Sequence, residues 1–314
     1  MRTGLPLILA ILSACRAAPL PRASVYPAGT ALEARFVRVD GTRIRFVDTG
    51  KGTPVIFLHG FGASMYAWRD ILGPVAAAGF RAIAFDNRGL GMSEKPADGY
   101  TNADYVHLLA SFMDSLELTD AVVVGHSMGG AIAAECAIAH PDRVRGLVLI
   151  DAAGMGVRVP FVLRVAAWPG VGRIVSGLRS RWMTARLLRS MYADPGKVRN
   201  EDVDQYYAPV ADPDFGRALR GILRDFRFDA LRGRLAAIAK PTLVLWGQQD
   251  RLIPVWIGRA AALELPRAAF VTVPKAGHAL PEEAPAEVSR LLIAFLQKGV
   301  PAPPPNLAVR ALSR

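Results

Sequence analysis

A serine set between closely spaced glycines is the first feature of this sequence that could do chemistry. It is Ser127, in the pattern Gly125-His126-Ser127-Met128-Gly129, between an apolar run and a stretch of small residues. Glycines on both sides permit a sharp turn from a strand into a helix, because a Cβ there would meet neighbouring backbone. Such a turn places a hydroxyl near the unpaired N–H groups at the start of the helix. The pattern indicates a nucleophile, with an ordinary tight turn as the alternative.

A serine nucleophile needs partners, since a neutral hydroxyl attacks weakly unless a base takes its proton. A histidine base in turn needs an acceptor on its other ring nitrogen, which fixes the tautomer and stabilises the imidazolium. The residues that could supply these groups are His278, Asp250 and Asp151, all far from the serine in sequence. The fold must bring them together if they act as one site.

The apolar stretches of the sequence predict the strands that would do this. Residues 34–39 and 43–47 alternate apolar and charged side chains around Asp40-Gly41, which predicts an antiparallel hairpin. Six near-continuous apolar stretches then predict buried parallel strands separated by helices. These stretches are residues 54–58, 81–85, 121–124, 146–150, 242–246 and 268–273. Ligands bind beyond the carboxyl ends of such strands. The serine, both acids and the histidine each follow a strand, so we expect them at one edge.

The order of these motifs resembles that of α/β-hydrolase fold proteins. His59-Gly60, the serine turn, Trp246-Gly247-x-x-Asp250 and Gly277-His278 occur in the order and spacing of that family, from about residue 34 to about residue 297. The resemblance implies a mostly parallel eight-stranded sheet flanked by helices, with an inserted helical cap. The predicted fold class is therefore the α/β-hydrolase fold.

The resemblance also implies a role for each residue of the site. Ser127 is the expected nucleophile, His278 the general base and Asp250 the acid that orients the histidine. Asp151 is the alternative acid, at a position that a minority of the family uses. His59 and the loop of residues 86–93 resemble structural turn elements of the family, so we assign them to packing and hydrogen bonding.

An oxyanion that forms during acyl transfer needs donors fixed in advance, and backbone N–H groups serve well. By the same resemblance, the N–H groups of Phe61 and Met128 form this oxyanion hole. We expect no cofactor and no metal, because neither cysteine suggests a metal site and His107 and His140 have no partners at metal-ligand spacing. Cys136 lies in an apolar helical stretch and is predicted to be a core residue.

The first fifteen residues are typical of a secretory leader. Arg2 precedes the apolar run Leu5–Leu12, which is too short to span a bilayer as a helix. The stretch Leu12-Ser13-Ala14-Cys15 resembles the bacterial lipobox, in which the cysteine becomes the lipid-modified first residue. We therefore predict export, with Cys15 lipidated and the protein anchored to a membrane. Ordinary leader cleavage, giving a periplasmic or extracellular protein, is the alternative.

Composition predicts the other boundaries. The chain has 314 residues, of which 52% are hydrophobic, enough for one α/β domain with an insertion. Residues 16–33 are predicted to be a tether and residues 298–314 a proline-rich tail. The core is predicted to comprise residues 34–154 and 229–297, with the helical cap at residues 155–228.

The predicted cap is rich in arginine and poor in acids. No acidic residue lies between Ala152 and Ala193, and large apolar residues alternate with the arginines. This pattern favours a basic amphipathic surface for anionic lipid, or equally a solvated outer face over an apolar pocket lining. The net charge is +11, but the sequence has no nucleic-acid-binding motif and no series of aromatic and basic residues on which bases could stack. We therefore exclude a nucleic-acid partner.

These features predict a serine carboxylesterase or lipase that hydrolyses an apolar ester through an acyl-enzyme. The serine turn Gly-His-Ser-Met-Gly-Gly resembles that of monoacylglycerol lipases, and an apolar cap would select an apolar acyl group. Two alternatives remain open at this point. One is a hydrolase of carbon–carbon bonds in ring-fission diketones, and the other is a non-catalytic protein that keeps the fold and binds a ligand under the cap.

Overall fold

The computed structural model describes residues 32–156 and 180–298. The predicted leader with Cys15, most of the predicted tether, residues 157–179 of the predicted cap and nearly all of the tail lie outside the described residues. Within them the chain forms an eight-stranded sheet. The strands are β1 Arg35–Val39, β2 Thr42–Thr49, β3 Pro54–Leu58, β4 Arg81–Phe85, β5 Ala121–His126, β6 Val144–Ile150, β7 Thr242–Gly247 and β8 Ala268–Val273.

The sheet is parallel except at one end. Its strand order is β1-β2-β4-β3-β5-β6-β7-β8. Strand β2 pairs antiparallel with both β1 and β4, and every other pairing is parallel. The predicted hairpin and the predicted mostly parallel sheet are therefore confirmed. The carboxyl ends of β3 to β8 lie along one edge, where their following loops meet.

Helices cover both faces of the sheet. In chain order the α-helices of the described residues are α1 Leu72–Ala77, α2 Asn102–Ser115, α3 Met128–Ala139, α4 Arg181–Met191, α5 Asn200–Val210, α6 Phe215–Asp225, α7 Val255–Glu264, α8 Leu280–Glu283 and α9 Pro285–Lys298. Buried side chains of α2, α3 and α7 form one apolar layer with the sheet. Those of α1 and α9 form the other. This three-layer packing is the physical reason why the inner strands are apolar on both faces.

Helices α4, α5 and α6 lie in the long connection between β6 and β7. A small apolar cluster joins α4 to α5 through Ala185, Leu188 and Val203, and it includes Ala279 from the loop after β8. The connection therefore packs directly beside the carboxyl edge of the sheet. No helix in the described ranges is long and apolar enough to cross a bilayer.

Candidate active site

The serine lies in a strained turn between β5 and α3. Ser127 has φ 52° and ψ −119°, a backbone conformation that costs a residue with a Cβ about 1–3 kcal/mol. Two hydrogen bonds to the end of β6 hold it: the Ser127 N–H donates to the Ile150 carbonyl (3.0 Å), and the Ala153 N–H donates to the Ser127 carbonyl (2.9 Å). The neighbouring strand thus fixes the serine at the carboxyl edge of the sheet.

The two glycines of the turn are required by close backbone contacts. A Cβ on Gly125 would lie 2.3 Å from the carbonyl oxygen of Gly129, and one on Gly129 would lie 2.2 Å from that of Leu58. Both distances are far inside van der Waals contact, and the obstructing atoms are backbone. The G-x-S-x-G spacing therefore has a steric cause at both ends.

The structure brings the predicted serine, histidine and acid into one chain of hydrogen bonds. His278 Nε2 lies 3.1 Å from Ser127 Oγ, and His278 Nδ1 lies 2.8 Å from Asp250 Oδ2. All three side chains are buried. If Nδ1 carries the proton and donates to Asp250, then Nε2 is free to accept the serine hydroxyl proton. This is the arrangement that lets an imidazole act as a general base.

The carboxylate of Asp250 is held from its far side. Asp250 Oδ1 accepts hydrogen bonds from the backbone N–H groups of Leu252 and Ile253, each at 2.8 Å. The Ile253 carbonyl accepts from Trp246 Nε1 at 2.8 Å, which ties this loop to the core. One carboxylate oxygen is thus committed to backbone donors, and the other faces the histidine.

The second acid, Asp151, lies nearby but does not hydrogen-bond to the histidine. Its Oδ1 accepts from the Gly247 N–H at 2.8 Å, and its buried Oδ2 has no hydrogen-bond partner in the described part of the chain. Burial, reinforced by the negative charge of Asp250, raises the pKa of Asp151 well above its usual range. The neutral form of Asp151 is therefore favoured, and its position makes it a weaker candidate than Asp250 for the partner of the histidine.

Sequence reasoning gave no role to His126, yet this residue supports the histidine loop. Its Nε2 donates to the carbonyl oxygen of His278 at 2.7 Å, and the two rings lie 5.0 Å apart. Burial, together with the nearby His278, lowers the pKa of His126 to about 3. His126 is therefore neutral at physiological pH, and its Nδ1 has no partner among the described residues.

His126, Asp151 and His278 are close enough to raise the question of a metal. One potential ligand atom from each lies within 4.8 Å of the others. Both ring nitrogens of His278, however, are already engaged by Ser127 and Asp250. Only His126 Nδ1 and Asp151 Oδ2 remain free, and a metal would have to break the hydrogen bonds of His278 to gain a third protein ligand. The donor set fits proton transfer better than metal binding.

Two backbone N–H groups are available beside the serine. Neither the Phe61 N–H nor the Met128 N–H has a hydrogen-bond acceptor within the described ranges. The Phe61 N–H lies close to the serine, because a Cβ on the preceding residue, Gly60, would lie 3.0 Å from Ser127 Cβ and 3.5 Å from Ser127 Oγ. The second begins helix α3, where the helix dipole also favours negative charge. The pair can stabilise an oxyanion formed on attack by Ser127.

Comparison with known proteins agrees with this geometry. The sequence profile of the family described as the alpha/beta hydrolase fold matches residues 53–285. The chain belongs to the α/β-hydrolase fold family. It is 33% identical to the 2-hydroxymuconate semialdehyde hydrolase of Pseudomonas sp. (strain CF600), over 83% of this chain and 93% of that protein.

Two solved structures add to the comparison. A meta-cleavage product hydrolase from Pseudomonas fluorescens superposes on this α/β-hydrolase with a TM-score of 0.73 at 26% identity, covering 84% of this chain and 97% of its own. A membrane phospholipase A, described as a bacterial virulence factor, gives a TM-score of 0.72 at 26% identity and covers 93% of this chain and 92% of its own. The family match and these relatives show that the protein is a hydrolase.

Phe61, which follows Gly60 beside the serine of this α/β-hydrolase, belongs to an aromatic cluster. The ring of Phe61 packs edge-on against Phe228 with centroids 6.0 Å apart, and Phe228 contacts Phe226 at 4.8 Å. Phe228 lies between helix α6 and β7, so the connection after β6 supplies part of this cluster. Phe61 and Phe228 are half-buried, whereas Phe226 is buried in the core.

The loop that carries His278 is anchored to the end of helix α4. The N–H groups of His278 and Ala279 both donate to the carbonyl oxygen of Met191, at 2.8 Å and 3.2 Å. The buried carboxylate of Glu283 accepts from the Gly277 N–H at 2.7 Å. It also accepts from the N–H groups of the two residues that follow Tyr192, at 3.0 Å and 2.8 Å. Sequence reasoning missed Glu283, and the only signal was an acidic pair shortly after Gly-His.

His59 and the loop of residues 86–93, which are predicted to serve packing and hydrogen bonding, have structural partners. His59 donates from Nδ1 to the Gly60 carbonyl (2.8 Å) and accepts the Asn87 N–H at Nε2 (2.9 Å). Asp86 accepts from the N–H groups of Met65 and Met92, at 2.7 Å and 2.8 Å. These bonds tie together the loops after β3 and β4. Cys136 is fully buried in α3, and burial raises the pKa of its thiol to about 12.

Proposed function

We propose that this protein is a serine hydrolase that cleaves a carbon–carbon bond in a ring-fission product, a compound with an aldehyde or ketone carbonyl next to a dienol chain. The observation that carries the proposal is the Ser127–His278–Asp250 chain, found in a protein that resembles two hydrolases of such compounds. The comparisons favour this alternative over the ester hydrolase that the sequence first suggested.

The geometry supports a two-step reaction. Ser127 Oγ attacks the carbonyl carbon while His278 Nε2 takes the hydroxyl proton, and the oxyanion lies against the N–H groups of Phe61 and Met128. Collapse of this intermediate breaks the carbon–carbon bond. This step requires the keto tautomer of the substrate, in which the hydroxyl proton of the dienol has moved to the carbon that leaves. That carbon departs as a dienolate, which takes the proton from His278, and the acyl group stays on Ser127. Water, deprotonated by His278, then attacks the acyl carbon and releases the carboxylic acid and Ser127.

The charge of the chain suits an anionic substrate. A muconate semialdehyde carries an ionised carboxylate at neutral pH. The net charge of +11 would attract such an anion, and arginines are concentrated between β6 and β7 without any acidic residue from position 152 to position 193. The arginines of that stretch are Arg158, Arg164, Arg173, Arg179, Arg181, Arg186 and Arg189.

Ester hydrolysis is the second candidate, and a specific observation favours it. The membrane phospholipase A covers more of this chain, 93%, than the meta-cleavage hydrolase does, 84%. The chemistry at Ser127 is the same for an ester, except that the leaving group is an alkoxide that takes its proton from His278. The half-buried rings of Phe61 and Phe228, which start next to Gly60 beside the serine, suit an apolar acyl group in either case.

A substrate panel separates the two candidates. Purified protein is incubated with enzymatically prepared ring-fission products, and turnover is measured as the loss of the substrate's dienolate colour. In parallel, it is incubated with p-nitrophenyl esters whose acyl chains have two to sixteen carbons, and the release of p-nitrophenol is measured. The proposal expects a higher kcat/KM for a ring-fission product than for any ester. Turnover of esters without turnover of any ring-fission product would overturn it in favour of the second candidate.

A Ser127→Ala variant is the matched control for both reactions. Wild-type protein should react with a fluorophosphonate probe once per chain, and the variant should not react. Wild-type protein that stayed unlabelled and inactive on every substrate would show that the fold serves ligand binding alone.

A further inference from the structure

Helix α4 presents an unusual face to solvent. Trp182, Met183 and Leu187 are 69%, 41% and 60% exposed, although large apolar side chains are normally buried. On a helix these three residues share one side, while Ala185 and Leu188 on the opposite side are buried against α5. The exposed apolar side is therefore not the packing side of this helix.

The same face is positively charged. Arg186 and Arg189 are exposed beside the apolar residues, and the guanidinium of Arg186 lies 5.9 Å from the ring centroid of Trp182. Neither arginine has an ion pair with an acidic side chain within the described ranges. Arg181 at the start of the helix pairs with Asp204 of α5. Helix α4 itself contains no acidic residue.

Unpaired arginines around an exposed tryptophan and leucine match the two parts of an anionic membrane surface. The guanidinium groups suit lipid phosphates, and the apolar side chains suit the boundary between headgroups and acyl chains. A protein partner would have to supply acids and an apolar pocket together. The net charge of +11 adds a general attraction toward an anionic bilayer.

The position of α4 gives this face a consequence for the active site. Its last residue, Met191, accepts hydrogen bonds from the backbone of His278 and Ala279. A membrane in contact with α4 would therefore lie one helix away from the catalytic histidine. The site would be held close to lipid or to a compound dissolved in the lipid.

We propose that the exposed face of α4, formed by Trp182, Met183, Arg186, Leu187 and Arg189, docks on the surface of an anionic bilayer. The helix lies flat in the interface and does not span the membrane. This contact is independent of the predicted lipidation at Cys15 and of the bond that the enzyme cleaves.

A fluorescent label tests the contact directly. Leu187→Cys is made in a Cys15→Ser background and labelled with the environment-sensitive dye NBD, since Cys136 is buried. Leu263→Cys, at an exposed position on α7 (65%), is the matched control. With vesicles of phosphatidylglycerol and phosphatidylcholine, the label at position 187 should shift to shorter wavelength and the control should not. Equal responses at both positions, or none at position 187, would overturn the proposal.

Vesicle co-sedimentation measures the contribution of charge. Arg186→Gln with Arg189→Gln should weaken binding to the anionic vesicles by about tenfold or more. Arg232→Gln with Arg267→Gln, two exposed arginines elsewhere, should change it much less. Binding should also fall with added salt and be weak on phosphatidylcholine alone. Equal effects of the two pairs would contradict a role for α4.

A second copy of the chain is the other possible occupant of this face. Trp182→Ser with Leu187→Ser should leave the sedimentation velocity in vesicle-free buffer unchanged, as should the control Trp256→Ser with Leu263→Ser on α7, where Trp256 is 66% exposed. A dimer that the α4 pair dissociates would assign the face to self-association and overturn the membrane proposal.

Discussion

Replacement of Asp250 by asparagine should convert His278 from a base into a donor. In the wild-type protein Asp250 Oδ1 accepts two backbone N–H groups at 2.8 Å, and Oδ2 faces His278 Nδ1. An asparagine keeps its oxygen on the two N–H groups, because the opposite orientation would leave these buried donors unpaired at about 1–3 kcal/mol each. Its NH₂ group then faces His278 Nδ1, which must accept.

The proton of His278 is thereby placed on Nε2, pointing at Ser127 Oγ, and the serine loses its base. The corresponding change in the best-studied serine hydrolases lowers kcat by about 10⁴, or about 5.5 kcal/mol in the activation barrier. We expect a loss of that order for Asp250→Asn at neutral pH, with little change in KM. The assay is steady-state turnover of the better substrate in the panel above, with circular dichroism to confirm folding.

The neighbouring Asp151 offers the strongest challenge to this reasoning. Its carboxyl could move to His278 once the charge of Asp250 is gone. Burial, the first cause of its raised pKa, persists in the variant, so we expect Asp151 to stay neutral and give no rescue. Asp250→Asn and Asp250→Asn with Asp151→Asn should then be equally slow. A single variant that kept more than about a tenth of wild-type kcat, or a double variant much slower than the single, would refute the assignment of Asp250 as the acid.

Other predictions concern stability and reactivity. The Ser127→Gly variant should have a free energy of unfolding about 1 kcal/mol higher than that of Ser127→Ala, because glycine tolerates φ 52°. Urea denaturation of both inactive variants measures this difference, and equal stabilities would argue against backbone strain at residue 127. Asp151 binds its proton more tightly when folded than when unfolded, so its contribution to stability falls as pH rises above about 4. Asp151→Asn should therefore gain stability relative to wild type between pH 5 and pH 9, and a constant difference in urea midpoints would contradict this. His126 stays neutral in the fold, whereas the unfolded chain is protonated below its ordinary pKa of 6.5, so stability is lost as pH falls below about 6.5. His126→Gln should flatten that acid loss, and an unchanged slope would contradict the buried neutral ring. Cys136 should not react with Ellman's reagent until the protein is denatured, because its thiol is buried with a pKa of about 12.

The sheet was predictable because strands that are buried on both faces are composed almost entirely of apolar residues. Runs such as Val122–Val124 and Leu147–Ile150 are apolar at every position, which only a strand covered on both faces requires. The hairpin was equally visible in the alternation around Asp40, which the structure places at a positive φ. The eight predicted strands and the fold class are therefore confirmed.

Only the site residues that belong to motifs in a recognisable order along the chain were predictable. Ser127, His278 and Asp250 could be nominated because each follows a strand. The preference for Asp250 over Asp151 came from the family resemblance, since both acids follow neighbouring strands. The contact that separates the two acids was not visible in the sequence. It depends on loop conformation: the turn after β7 aims Asp250 at the histidine, while Asp151 bends back onto the Gly247 N–H. Contacts such as those of His126 and Glu283 join distant segments and leave no periodic signal.

Several predictions stay predictions. The leader, lipidation at Cys15, export and the domain boundaries concern segments outside the described residues or features that the comparisons do not test. Within the connection after β6, the structure gives helices α4, α5 and α6 and their contacts. Residues 157–179, which include Trp168 and four of the arginines, are not described.

The contacts of helix α4 limit how this connection could open over the active site. The carbonyl of Met191 holds the backbone of His278, and Glu283 holds the residues on both sides of that contact. A rigid outward movement of α4 would break these hydrogen bonds and displace His278, the predicted general base. The carboxyl-terminal end of α4 therefore belongs to the scaffold of the active site. The basic and apolar face lies on the same helix, so a surface that binds that face meets an element hydrogen-bonded directly to the loop of His278. Under the proposal, docking then need not change the geometry of Ser127 and His278.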